Sequence, residues 1–302
     1  MRDPLSILST PDEPRQPRAR FAAQLRQRLQ EAAMSSPSEQ ANDTETTTDP
    51  GAAGDSDTSV TPYTGGVSNL FYFMLPAPDL ERSKAFFARV LGWQVGGGAM
   101  GGHIENVTPA GGLNPSSSVG EQSVFISVDD IDEAAAKLVG LGGAVEGEVQ
   151  RGEAGAWLSC RDDQGTQFFI QDPGQGVYLE YARSPQSGSA HGDLFYFSLP
   201  VPDGEIGQRF YHAMFGWEFG EPGSAGGMNA NNLMIEGGIG AGREGDRVEL
   251  WFRVDDIGTA VAAVRDLGGD ASDPEDTPQG TISFCHDDQG VAFGLAEPAT
   301  GF

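Results

Sequence analysis

The chain carries one stretch twice, and any fold proposed for it must accommodate that duplication. Leu70-Phe71-Tyr72-Phe73-Met74-Leu75-Pro76-Ala77-Pro78-Asp79 returns 124 residues later as Leu194-Phe195-Tyr196-Phe197-Ser198-Leu199-Pro200-Val201-Pro202-Asp203. Phe86-Phe87 with Gly92-Trp93 returns as Phe210-Tyr211 with Gly216-Trp217. Val128-Asp129-Asp130-Ile131 answers to Val254-Asp255-Asp256-Ile257, and Leu141-Gly142-Gly143 to Leu267-Gly268-Gly269. Cys160-Arg161-Asp162-Asp163-Gln164-Gly165 answers to Cys285-His286-Asp287-Asp288-Gln289-Gly290, with the offset drifting only from 124 to 126. A self-similarity this long is a tandem duplication with small loop insertions. It sets the domain count at two, in line with 302 residues at ~150 per domain.

The boundaries follow. Residues 1–66 form a leader, 67–182 the first repeat, 183–191 a linker and 192–302 the second repeat. Prolines break the start of the leader, and residues 35–61 hold almost no large apolar side chain, a composition expected to stay disordered. Between them, Phe21, Leu25 and Leu29 mark one stripe of a short helix over residues 18–33, with Arg18, Arg20, Arg26 and Arg28 around it. That basic amphipathic segment is either a dock for a protein partner or anionic surface, or a marginal helix that frays without tertiary support.

A net charge of -26 argues against nucleic acid, whose phosphates would be repelled. The acidity is spread over both repeats, as expected of a self-repelling solvated surface. An acidic cleft for a cationic ligand is the sharper alternative. No apolar run approaches the ~18 residues of a membrane span. The two cysteines, Cys160 and Cys285, occupy equivalent positions in separate repeats, so two reduced, buried thiols are expected, and with them a cytoplasmic location.

Within each repeat the pattern alternates strand and helix. Residues 69–75 alternate as a strand. Asp79 can then cap a helix over 80–91 whose apolar face includes Phe86 and Val90, with Gly92 as its stop. Residues 94–120 are Gly-rich with short strand-like pieces. A second unit follows: strand 123–128, a capping box from Asp130 and Glu133, helix 131–141, then strands 156–159 and 166–171 joined by Asp162-Asp163-Gln164-Gly165. The class is α+β.

This order of motifs, repeated, resembles the vicinal oxygen chelate superfamily of glyoxalases, bleomycin-resistance proteins and extradiol dioxygenases. It is similar in particular to tandem-domain, glyoxalase-like proteins of actinobacteria. The resemblance covers about residues 68–174 and 192–298. It implies two βαβββ modules per domain, curled into an incomplete barrel around a cavity, and domains that pack on each other as single-domain relatives pair into dimers. It also implies where a metal would bind in the metal-dependent members: Tyr72, Ser123 and Phe169 in the first domain, Tyr196, Glu249 and Gly294 in the second. A divalent site takes three or four His, Asp, Glu or Cys ligands, and only Glu249 qualifies. His103 and Glu105, two residues apart, could start another set but have no evident repeat counterpart. No cofactor is therefore predicted, with a divalent metal on unusual ligands as the alternative. Gly96-Gly97-Gly98-Ala99-Met100-Gly101 has dinucleotide-loop spacing but follows a helix, the wrong context for that role.

The expected cavity lining is apolar and aromatic: Tyr72, Met74, Phe125 and Phe169 in the first domain, Tyr196, Glu249 and Trp251 in the second. These side chains either hold a small amphipathic ligand or fill the barrel mouth as core. Three functions follow: metal-free binding of a small molecule, a metal-dependent lyase, isomerase or dioxygenase with unusual ligands, or a scaffold docking a partner through residues 18–33. No catalytic residue stands out.

Overall fold

The structure, a computed structural model, describes residues 67–96, 101–115, 122–152, 155–173, 189–222, 227–242 and 248–299. The expected leader and its basic helix lie outside these residues, as does most of the linker.

The first repeat runs β1 (Leu70–Pro76), α1 (Leu80–Val90), β2 (Gly102–Ile104), β3 (Ala110–Asn114), β4 (Ser123–Ser127), α2 (Ile131–Gly140), β5 (Ala144–Gly152), β6 (Gly155–Arg161), β7 (Gln167–Asp172). The second runs β8 (Leu194–Val201), α3 (Gly204–Phe215), β9 (Gly227–Asn229), β10 (Gly237–Ala241), β11 (Glu249–Arg253), α4 (Ile257–Asp266), β12 (Asp270–Ala271), β13 (Glu275–Thr277), β14 (Gly280–His286), β15 (Ala292–Pro298). The helices start where the short acidic side chains allow. Asp79, Asp130, Asp203 and Asp256 each accept a hydrogen bond from a first-turn backbone N–H, satisfying donors a helix leaves open.

Each repeat builds one mixed sheet. The first has strand order β2-β3-β1-β4-β7-β6-β5; the second has β12-β14-β15-β11-β8-β10-β9, with β13 paired to β14. The two modules of a repeat meet through an antiparallel pair of their first strands, β1 with β4 and β8 with β11. In each first module an isolated bridge, Val95↔Ile104 or Phe219↔Ala230, stands beside two short strands of three and five residues.

Period-two alternation then decides what each sheet face does. Phe73, Leu75, Val124, Ile126, Phe168 and Ile170 turn inward, as do Phe197, Leu199, Leu250, Phe252, Phe293 and Leu295 in the second sheet. These inward faces belong to one continuous core spanning both repeats, with Phe73 of the first sheet 5.4 Å from Phe252 of the second. The helices exchange partners across it. On α1, Phe86 and Phe87 pack edge-on against Phe293, and on α3, Tyr211 and Phe215 pack against Phe168. Such burial contributes roughly 1.5–3 kcal/mol per aromatic side chain.

The repeated motifs are the clasps of this arrangement. Trp93 Nε1 donates to the Gly192 carbonyl and Trp217 Nε1 to that of Ser68, both at 2.8 Å. Gln164 and Gln289 each reach the other repeat's helix cap. The Asp203 N–H donates to Gln164 Oε1 and the Asp79 N–H to Gln289 Oε1, both at 2.7 Å, and each glutamine amide donates back to the same residue's carbonyl. The Asp-x-x-Gly turns that carry these glutamines are held by Asp162 and Asp287, whose Oδ1 atoms accept two backbone N–H groups apiece. They close through Gly165 and Gly290 at φ +95° and +84°, where a side chain would be strained. Both cysteines are free and buried. Among the described residues no helix is long and apolar enough to cross a membrane.

Candidate functional site

Since the inward faces make the shared core, the other face of each sheet is where these repeats can meet a ligand. The alternation that buries Phe73 and Val124 turns Tyr72 and Phe125 to that outer face. Register then sets Tyr72 beside Phe125, and Phe125 beside Phe169. The rings form a continuous surface across β1, β4 and β7. Tyr72 meets Phe125 edge-on at 5.8 Å, and Phe125 stacks on Phe169 at 4.6 Å. Met74 lies two residues further on, opposite Ser123. Tyr72, Met74 and Phe169 keep part of their surface exposed.

At the edge of this platform Tyr72 Oη lies 3.3 Å from Nδ1 of His103 on β2, the rings nearly parallel at 6.0 Å. The close approach is possible because Gly112 on the intervening β3 has no side chain; a Cβ there would sit 2.5 Å from the tyrosine oxygen. Burial pushes the Tyr72 hydroxyl up to about 12, so it remains a neutral hydrogen-bonding group at ordinary pH.

The second sheet repeats the layout with different chemistry. Tyr196 faces Trp251 across β8 and β11, and its hydroxyl donates to Asn229 Oδ1 at 2.8 Å. Asn229 pairs with Gly238 as His103 pairs with Gly112, so His103 does have a repeat counterpart, contrary to the sequence expectation. The Gly-Gly pairs at 111–112 and 237–238 share the offset of 126 and are the sequence signal that would have revealed it. Trp251 lies over Gly294, where a Cβ would come within 2.2 Å of the indole, and meets Phe284 edge-on at 4.7 Å. Phe284 is 50% exposed, a large aromatic surface that the sequence reading did not single out. Glu249 is opposite Ser198 at the start of β11.

The positions that would bind metal in relatives do not fit a divalent cation. In the first sheet Phe169 is stacked against Phe125, and in the second the Trp251 indole takes the space above Gly294. Glu249 is the one hard ligand among them, and among the described residues no three His, Cys, Asp or Glu side chains converge as a metal would need. His103 and Glu105 share no third partner there.

An open cleft of about 850 Å³ lies away from both aromatic surfaces, at the start of α3, lined by Asp203, Glu205, Phe219, Glu221 and Met228 among others. It contains none of the expected site residues. Asp203 is already committed to capping the helix, and the remaining polar side chains of the lining are Glu205, Gln208 and Glu221.

Residues 69–181 match the family model described as Glyoxalase/Bleomycin resistance protein/Dioxygenase superfamily. Residues 69–181 therefore carry a domain of the vicinal oxygen chelate superfamily. A mycobacterial protein named "Putative glyoxylase CFP32", from Mycobacterium bovis and Mycobacterium tuberculosis, is 25% identical over 261 residues, covering 74% of this chain and 93% of its own. Among solved structures, a catechol 2,3-dioxygenase superposes with TM-score 0.56 at 18% identity, covering 78% of this chain and 90% of its own. The 2,2',3-trihydroxybiphenyl 1,2-dioxygenase of Sphingomonas wittichii gives TM-score 0.56 at 16% identity, covering 78% and 93%. At these identities the structural likenesses show the vicinal oxygen chelate fold.

Proposed function

We propose that this vicinal oxygen chelate protein binds a small amphipathic molecule, without a metal, on the outer face of one or both sheets. The observation that carries this reading is the aromatic face on which Tyr72 and Phe169, packed either side of the buried Phe125, keep part of their surface exposed. An outer face serving only structure would be polar. Rings supply apolar contact area, and the hydroxyls of Tyr72 and Tyr196, each bonded to a neighbour at the platform edge, supply orientation. The second surface offers Trp251, Phe284 and Glu249, a set suited to a ligand with a cationic end. The buried, reduced thiols fit a cytoplasmic protein.

The test is titration of chelator-treated protein with 1-naphthol, a flat amphipathic probe, read by tryptophan fluorescence and thermal stabilisation. Saturable binding should weaken in Phe169→Ala or Tyr72→Ala for the first surface and in Tyr196→Ala for the second. Binding that none of these variants alters, or no binding at all, refutes the reading.

A further inference from the structure

The two outer surfaces hold the same tyrosine but give it different partners. Tyr196 donates its proton to a carboxamide oxygen, and Asn229 has no basic nitrogen to offer in return. Tyr72 instead contacts an imidazole. In the tautomer that carries its proton on Nδ1, this nitrogen donates to Tyr72 Oη, Nε2 keeps its lone pair, and the Tyr72 O–H is left for a ligand. His103 is exposed, and among the described residues nothing else hydrogen-bonds its ring. Beside this pair Phe125 and Phe169 stack on each other, Phe125 buried and Phe169 partly exposed.

We propose that the first outer surface, and not the second, is a proton-transfer site: His103 Nε2 acts as general base on an aromatic molecule held against the exposed parts of Tyr72 and Phe169. Tyr72 donates a hydrogen bond to the oxygen that gains charge. This rests on the binding reading above and adds a chemistry to it. A base within reach of an acidic C–H and a neutral O–H aimed at a developing oxyanion are the two groups that such a step requires. The step needs no metal, oxidant or reductant.

The probe 5-nitrobenzisoxazole reports the step directly. His103 takes the proton from C3, the C–H electron pair becomes part of the new C≡N bond, the N–O bond breaks, and its pair stays on the phenolate oxygen. The imidazolium then returns its proton to water. Release of the coloured 2-cyano-4-nitrophenolate should be saturable in chelator-treated protein, and His103→Asn, which copies the second surface, should slow it by about a hundredfold. Asn229→His should add a second active surface, and Tyr72→Phe should reduce the rate while the probe still binds. Each variant is also titrated with 1-naphthol. If the naphthol binds but the wild type is no faster than matched free imidazole, or if His103→Asn keeps its rate, the proton-transfer proposal is wrong and the binding reading stands. If the naphthol does not bind, the binding reading itself has failed.

Discussion

One buried oxygen should reveal how closely the two repeats imitate each other. Asp162 Oδ1 holds its turn through the Gln164 and Thr166 N–H groups, and its Oδ2 accepts a bond of 3.1 Å from the Tyr211 hydroxyl. Asp287 holds the equivalent turn with the same two backbone bonds, but its Oδ2 is buried without a partner. The reason lies one repeat away: the position matching Tyr211 is Phe87. Its surroundings are otherwise the same, since Phe87 lies 4.9 Å from Trp93 and 5.4 Å from Phe293, as Tyr211 lies 5.2 Å from Trp217 and 6.0 Å from Phe168. Phe87→Tyr should deliver the missing donor. A hydrogen bond to a charged group contributes about 1.5–3 kcal/mol, less the cost of fitting an oxygen into a packed core, so the expected net gain is about 1 kcal/mol. That corresponds to ~2–4 °C in Tm for a unit of this size. Tyr211→Phe should cost about 1–3 kcal/mol by orphaning Asp162 Oδ2.

The pH dependence fixes the mechanism. Burial raises the Asp287 carboxyl above its ordinary value of 3.8, so the folded state holds its proton more tightly than the unfolded chain. Stability from that group is therefore greatest below the ordinary carboxylate range and is lost as pH rises through the raised value. A tyrosine donor favours the charged form and should reduce this loss, so the gain from Phe87→Tyr should appear at neutral pH and shrink in acid. Urea unfolding of both variants from pH 4 to 8 measures it. A Phe87→Tyr variant that is less stable at every pH, or whose effect does not change with pH, would refute the reasoning.

Other consequences are more local. Burial pushes the thiols of Cys160 and Cys285 up to about 12 and about 11, so a disulfide-exchange reagent should leave the native protein unlabelled and react with both cysteines in urea. Removing a reciprocal clasp with Gln164→Ala or Gln289→Ala should cost about 0.5–1.5 kcal/mol per bond lost, read as a fall in urea midpoint. Of the two, Gln289→Ala should cost more, because that side chain also donates to Ser83 Oγ. Gly294→Ala should push Trp251 off the sheet, destabilising by about 1–3 kcal/mol and shifting the fluorescence of that tryptophan; unchanged emission would contradict the packing described.

What could be read from the sequence was what depends on local pattern. The helices at residues 80–90 and 131–140 begin at the expected aspartates and end within a residue of the expected stops, because capping and amphipathic periodicity are properties of neighbours in the chain. The capping box at Asp130 is half formed: Asp130 accepts from the Asp132 and Glu133 N–H groups. Tyr72, Phe125 and Phe169 share one face of the sheet, but a register shift between Leu70 and Tyr72 interrupts the alternation of that strand, and Leu70 is buried in the core. Hidden from the sequence was everything set by pairing at a distance. Gln164 and Gln289 read as turn residues, and only the packing of one repeat on the other makes them clasps. The partnership of Tyr72 with His103 crosses β3, and depends on the absence of a side chain at Gly112. The strand at residues 144–152 escaped notice because it is an edge strand with little burial and so little apolar alternation.

The reading that matters most is that the ligand surfaces work without a metal. Metal content of untagged protein, with thermal stabilisation by Ni, Zn, Fe and Mn each measured in turn, tests it most directly. A cation bound only by the native state must raise the melting temperature by mass action. Substoichiometric metal and no stabilisation, with 1-naphthol still bound, is the expected result. About one equivalent of metal per chain with a clear rise in Tm, lost in Glu249→Gln or His103→Asn, would contradict it.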